Sequence, residues 1–140
     1  IAKLSMLDGV EIRHLGAWPK DIDSGKVKLL GTLSRSKMVE EMKTCHYFLH
    51  TAIKDPCPNA IFESICMGLP VIYNPGIGSS AEIVAENGLP LDENNLAITL
   101  KQARVKLEEL RETVLKNRSN YIISHSTKRY KEVFEGREKE

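Results

Sequence analysis

Long apolar runs are missing from this 140-residue chain, and its longest falls far short of the ~20 residues that a membrane-crossing helix needs. Neither sign of charge prevails: Lys and Arg total 20 against 19 Asp and Glu, a net charge of +1. That balance removes the electrostatic reason to expect nucleic acid or an anionic membrane as a partner. Cysteine is sparse. Cys45, Cys57 and Cys66 are odd in number and show neither Cys-x-x-Cys nor zinc spacing, so a reducing, cytoplasmic setting is expected. None of His14, His46, His50 and His125 stands at ligand spacing to another histidine or to a cysteine, so no metal is expected. Asp21-Ile-Asp23 is formally an Asp-x-Asp, but beside Ser24-Gly25 it reads as a solvated turn. Asn74-Pro-Gly-Ile-Gly78 lacks the spacing of a dinucleotide or phosphate-loop fingerprint. Internal repeats, low-complexity tracts and a signal-peptide pattern are absent too, and the opening Ile1 reads as the start of an excised piece.

What is present is ordinary for a globular protein: 41% apolar and 28% charged residues, enough chain for one domain with a core. Ile1 to Leu7 reads as the end of a helix, with Asp8-Gly9 as a turn. Val10–Leu15 and Val27–Leu30 read as strands, the second closing on Gly31-Thr32-Leu33. Ser34 or Ser36 can cap a helix that carries Met38, Val39, Met42 and Cys45 on one face. Tyr47–Thr51 and Val71–Tyr73 are further strands, and Leu89-Pro-Leu91 an edge strand. Ser79-x-x-Glu82 matches a capping box for a short helix that Gly88 ends. Leu96, Leu100, Ala103, Leu107, Leu110 and Val114 form the apolar stripe of a long helix capped from Asp92–Asn95. After Asn117–Asn120, Ser124–Thr127 can cap a last helix holding Tyr130, Val133 and Phe134, ahead of the charged run Glu135–Glu140.

The chain turns on Asp55-Pro-Cys-Pro-Asn59-Ala-Ile-Phe-Glu63-Ser-Ile-Cys-Met-Gly68-Leu-Pro-Val-Ile72. Pro56 and Pro58 forbid helix, Asn59 is a good N-cap, Ala60–Met67 reads as helix, and Gly68 is a left-handed stop. Strand, loop, helix and strand then set Asp55 and Glu63 on either side of a helix N-terminus. In open α/β sheets ligands bind beyond the carboxyl ends of the strands, where such an N-terminus attracts phosphate. Carboxylates suit sugar hydroxyls, and amides suit phosphate, so the pairing points to a nucleotide-sugar. His50 lies close enough to line such a site, although a packed or surface histidine is the plainer reading, and Lys54 reads equally as a phosphate partner or a solvated loop lysine. Cys57 has no neighbouring base and is no nucleophile.

Asp55-x-x-Pro-Asn59-x-x-x-Glu63-x-x-x-x-Gly68-x-Pro-Val-Ile, with Gly78-Ser-Ser-Ala-Glu82 and Gly88, resembles the donor-binding half of the group 1 glycosyltransferases. The resemblance is strongest over residues 27–90. It implies an α/β fold, a Rossmann-like parallel sheet flanked by helices that forms the C-terminal half of a GT-B enzyme. Residues 1–120 would be the nucleotide-sugar-binding domain, truncated at its N-terminus, and 121–140 a helical tail. It further implies a retaining, metal-independent, hexosyltransferase-like enzyme of polysaccharide or glycoconjugate biosynthesis. No cofactor is implied beyond the nucleotide-diphospho-sugar donor.

The roles follow position by position. Asp55 would contact hydroxyls of the transferred sugar, and Glu63 would hold the ribose. Asn59, Ala60, Ile61 and Phe62 would present the helix head to the donor, and Gly31, Thr32 and Leu33 would flank the base. The family's first acid is normally Glu, and Asp55 is shorter by one methylene. The family's Arg and Lys that hold the diphosphate have no counterpart in residues 1–26, and the N-terminal acceptor domain is a missing partner. The piece alone is therefore expected to be inactive, with membrane contact at most peripheral through the parent protein. The alternatives are a nucleotide-sugar-binding module without transfer activity, or a related GT-B enzyme such as an epimerase. A phosphorylase lacks its pyridoxal lysine here, and a flavodoxin-like signalling domain would carry its acids after an early strand.

Overall fold

A computed structural model describes residues 1–76, 78–124, 127, 128 and 131. In chain order these form α1 (Ala2–Ser5), β1 (Arg13–Leu15), β2 (Lys28–Gly31), α2 (Arg35–Lys43), β3 (Phe48–His50) and α3 (Asn59–Cys66). β4 (Val71–Tyr73), α4 (Ser80–Val84), β5 (Gly88–Pro90), α5 (Leu96–Asn117) and a 3-10 turn (Arg118–Tyr121) follow. Every strand pairing among the described residues is parallel: β1 with β2, and β3-β4-β5 with β4 central. Parallel neighbours need a crossover, and α3 and α4 supply the two crossovers of the three-stranded sheet. The fold is α/β, with Rossmann-like parallel sheets flanked by helices.

β4 shows why this sheet is buried on both faces. Val71, Ile72 and Tyr73 are all buried, and the alternation of a strand sends them to opposite sides. Val71 and Tyr73 join Ile61 and Ile65 of α3, Val84 of α4 and Val114 of α5 in one core cluster. Ile72 joins Leu89, Leu91, Ala103 and Leu110 in the other. Ala103 and Leu110 therefore cover one face, and Val114, one turn on from Leu110, reaches the other cluster. Of the predicted stripe, Ala103, Leu110 and Val114 are buried and Leu96, Leu100 and Leu107 half-buried.

α3 is stopped by a Schellman motif. Gly68, at φ +84°, donates its amide to Ile65 and Leu69 donates to Ser64, both at 2.9 Å. That closure turns the chain directly into Pro70 and β4. At the other end of α5, the Asn95 side chain accepts from the Ile98 amide, and Asp92 Oδ1 accepts from the Asn94 and Asn95 amides.

Several local expectations are corrected. The first strand spans Arg13–Leu15 rather than Val10–Leu15, because its partner β2 begins only at Lys28, opposite Arg13. α3 begins at Asn59 itself, with Pro58 at the cap position. Ile61 N–H bonds to the Pro58 carbonyl at 2.9 Å, and no side chain caps the helix. The capping box Ser79-x-x-Glu82 does not form: the Ser79 hydroxyl donates to the Pro56 carbonyl at 2.8 Å instead, and Glu82 is exposed. α4 ends at Val84, not Gly88, and Gly88 opens β5. Of the expected last helix, His125, Ser126, Tyr130, Val133, Phe134 and Glu135–Glu140 lie outside the described residues. Tyr121 packs on the first core cluster. Its hydroxyl donates to the Ile83 carbonyl at 2.8 Å and accepts from Asn87 at 2.9 Å.

Candidate functional site

Asp55 lies in the loop between β3 and α3, beyond the carboxyl end of β3. Its Oδ1 accepts the Cys57 amide at 3.1 Å, an Asx turn that shapes the loop around Pro56. The segment after β4 clamps this loop from the far side. Ser79 N–H reaches the Asp55 carbonyl at 3.2 Å, and Ser79 Oγ reaches Pro56. A Cβ on Gly78 would stand 2.7 Å from the Asp55 carbonyl oxygen and 3.0 Å from its nitrogen, so only glycine permits this approach. The glycine-containing turn, which lacks a phosphate-loop spacing in sequence, is thus a brace for the Asp55 loop.

The α3 head follows. Asn59, Ala60 and Glu63 are exposed, Phe62 is half-buried against Tyr121, and Ile61 is fully buried in the core. Ile61 has its amide donated to Pro58 and its side chain turned inward, so it anchors the helix beneath its exposed neighbours. Glu63 makes no hydrogen bond or ion pair with a described residue, leaving its carboxylate to solvent. No acid occupies the first turn of α3 to neutralise the positive end of its dipole. Lys54 is exposed in the same loop, as is Cys57.

His50, the last residue of β3, is the one strongly placed group that the sequence left undecided. It is only 9% exposed, its Nε2 is buried without a hydrogen-bond partner, and that atom lies 3.8 Å from Asp55 Oδ2. Burial pushes the imidazole pKa below its ordinary value, and the neighbouring Asp55 charge opposes that shift. The signal available in sequence was its position at a strand end, five residues before the acid.

Gly31 ends β2, in the other parallel pair, and Thr32 and Leu33 follow it. Gly31 and Thr32 are exposed and Leu33 half-buried, and none of the three is hydrogen-bonded to the Asp55 loop. The Gly31 carbonyl accepts from Gly16 across the β1–β2 pair at 2.8 Å. The structure therefore joins His50, Asp55, Gly78 and Ser79 directly, sets Asn59–Glu63 on the adjoining helix, and keeps Gly31–Leu33 on a separate strand end. Elsewhere, Asp23 Oδ1 accepts the Gly25 amide at 3.0 Å, the contact of a solvated turn. His14 bonds the Ala17 carbonyl and meets Trp18 edge-on.

This loop and helix sit inside a match to a known family: the sequence model for glycosyl transferases, group 1, aligns with residues 23–129. The chain belongs to the group 1 glycosyl transferases. Comparison with curated proteins gives no match. Membership makes glycosyl transfer the chemistry to which this glycosyltransferase domain belongs, and the matched span contains β2 to α5 whole. No helix among the described residues is long and apolar enough to cross a membrane.

Proposed function

We propose that this domain binds a nucleotide-diphospho-sugar at the head of α3, with Glu63 on the ribose and Asp55 on hydroxyls of the sugar. The observation that carries the reading is the joint placement of an unpaired, exposed Glu63 and a braced Asp55 around a helix N-terminus with no acid in its first turn. The amides of the exposed residues Asn59 and Ala60 and the dipole of α3 suit the diphosphate. When the glycosidic bond breaks, negative charge develops on that diphosphate, and preorganised amides stabilise it without reorganisation. The carboxylate oxygens of Asp55 and Glu63 accept hydrogen bonds and suit the hydroxyl donors of sugar and ribose. Gly31–Leu33 would flank the base.

In this reading the sugar passes to an acceptor hydroxyl with retention and without a metal. A second, acceptor-binding domain closes over the donor and excludes water. A thermal-shift panel of UDP-, GDP- and ADP-sugars tests it, because a ligand that binds the folded state raises the melting point. The sugar nucleotide that raises it most should bind Glu63→Ala at least about tenfold more weakly, since a hydrogen bond to a charged group is worth ~1.5–3 kcal/mol. Unchanged affinity in calorimetry removes Glu63 from the ribose.

A further inference from the structure

His50 carries an unexplained cost. A buried polar atom left without a partner costs about 1–3 kcal/mol, and native proteins keep few of them. The His50 backbone is anchored, its carbonyl accepting from Asn74 N–H at 2.9 Å and the residue pairing with Tyr73 in the β3–β4 ladder, and its ring stacks on Phe48. The buried Nε2 faces Asp55 Oδ2 at 3.8 Å, beyond the 2.7–3.2 Å of a hydrogen bond. A displacement of about 1 Å in the 51–58 loop closes that gap, and functional hydrogen bonds are often long before a ligand arrives. Since Nε2 is out of reach of solvent, a ligand cannot meet it directly, and its influence must pass through the carboxylate.

We propose that His50 is the positioning residue for Asp55: its Nε2–H closes onto Oδ2 when the donor binds and sets the direction in which the carboxylate meets the sugar hydroxyls. The proposal rests on the donor-binding reading above. It divides the carboxylate's work, with Oδ1 held by the Cys57 amide, Oδ2 steered by His50, and the remaining lone pairs turned to the ligand. Burial favours the neutral imidazole, and a carboxylate oxygen facing Nε2 favours the tautomer protonated there.

The test compares, on the 140-residue chain, affinities for UDP-, GDP- and ADP-sugars and for the matching bare nucleoside diphosphates. His50→Phe should lose about tenfold of the affinity that the sugar adds to the diphosphate, with the bare diphosphate unaffected. His50→Gln, which keeps an N–H donor, should recover most of the loss. In an Asp55→Asn background His50→Phe should cost nothing further. Equal weakening of both ligands, or full additivity with Asp55→Asn, overturns the proposal. Imidazole ¹⁵N spectra read the pair whether or not any sugar nucleotide binds. They should show the Nε2–H tautomer and a His50 pKa that drops in Asp55→Asn. An Nδ1–H tautomer, or a pKa indifferent to Asp55→Asn, overturns the pairing itself, whereas absence of binding with that coupling intact overturns the donor reading alone.

Discussion

Asp55 is held by backbone and side-chain contacts, whereas the Glu63 carboxylate has no hydrogen bond or ion pair among the described residues. The difference makes opposite predictions for Glu63 and for Gly78, which braces Asp55. Glu63→Ala should leave the melting temperature close to that of the parent, because exposed positions without partners contribute within about 0.5 kcal/mol. Gly78→Ala should destabilise the chain by roughly 1–3 kcal/mol, as a Cβ there collides with the Asp55 backbone and must push the loop aside. It should also weaken sugar-nucleotide binding without touching the ligand. Denaturant unfolding and calorimetry on the two variants separate these effects. A Gly78→Ala variant with parental stability would show that the brace is not tight.

The acids themselves were readable from their seven-residue separation and their setting between two strands. The brace was not, because it depends on a loop from beyond β4 arriving at the Asp55 carbonyl. For the same reason the Ser79 hydroxyl looked like a helix cap. In isolation its best acceptor-seeking neighbour is the α4 amide three residues on, and tertiary contact with Pro56 overrides that local choice. The state of His50 was equally hidden, since a strand position indicates burial but not which charged group stands opposite.

Among the elements, α3 and α5 do the packing that fixes the site. Ile61 and Ile65 of α3 are fully buried against Val71 and Val84, so Ile65→Ala should cost about 2–5 kcal/mol through lost burial and the cavity left behind. Parental stability in urea unfolding would contradict the packing described. α5 is stitched to the residue before β3 by Tyr47, whose hydroxyl donates to the Ala103 carbonyl at 2.7 Å. Burial pushes the Tyr47 pKa up to about 12 from its ordinary value near 10. The folded state thus favours the protonated phenol. Its contribution is complete below pH ~10 and lost as pH rises towards 12. Tyr47→Phe should flatten that limb of a stability–pH profile, and an identical limb in the variant would place the loss elsewhere. α5 was legible from its periodicity and α3 from its flanking prolines and Gly68, whereas the short strands were legible in place but not in length. Strand length is set by the partner, as β1 shows by starting only where Lys28 comes opposite.

At the scale of the whole molecule, the described chain forms two parallel strand groups and a helix head braced beside the carboxyl end of β3. The α/β class followed from alternating strand and helix patterns, and the family from one motif region. Hollows open among the described residues away from the Asp55 loop. One, of about 380 Å³, lies between Leu7-Asp8 and the first turns of α5, and another, of about 280 Å³, lies around Asn87 and Tyr121. Neither is lined by Asp55 or Glu63, so the exposed head of α3 and these open hollows are competing places for a ligand. Backbone amide chemical-shift mapping of the best-binding sugar nucleotide decides between them. The shifts should concentrate at Asp55, Asn59, Ala60, Phe62 and Glu63. Shifts confined to the α1–α5 hollow, with the head of α3 silent, would contradict the account.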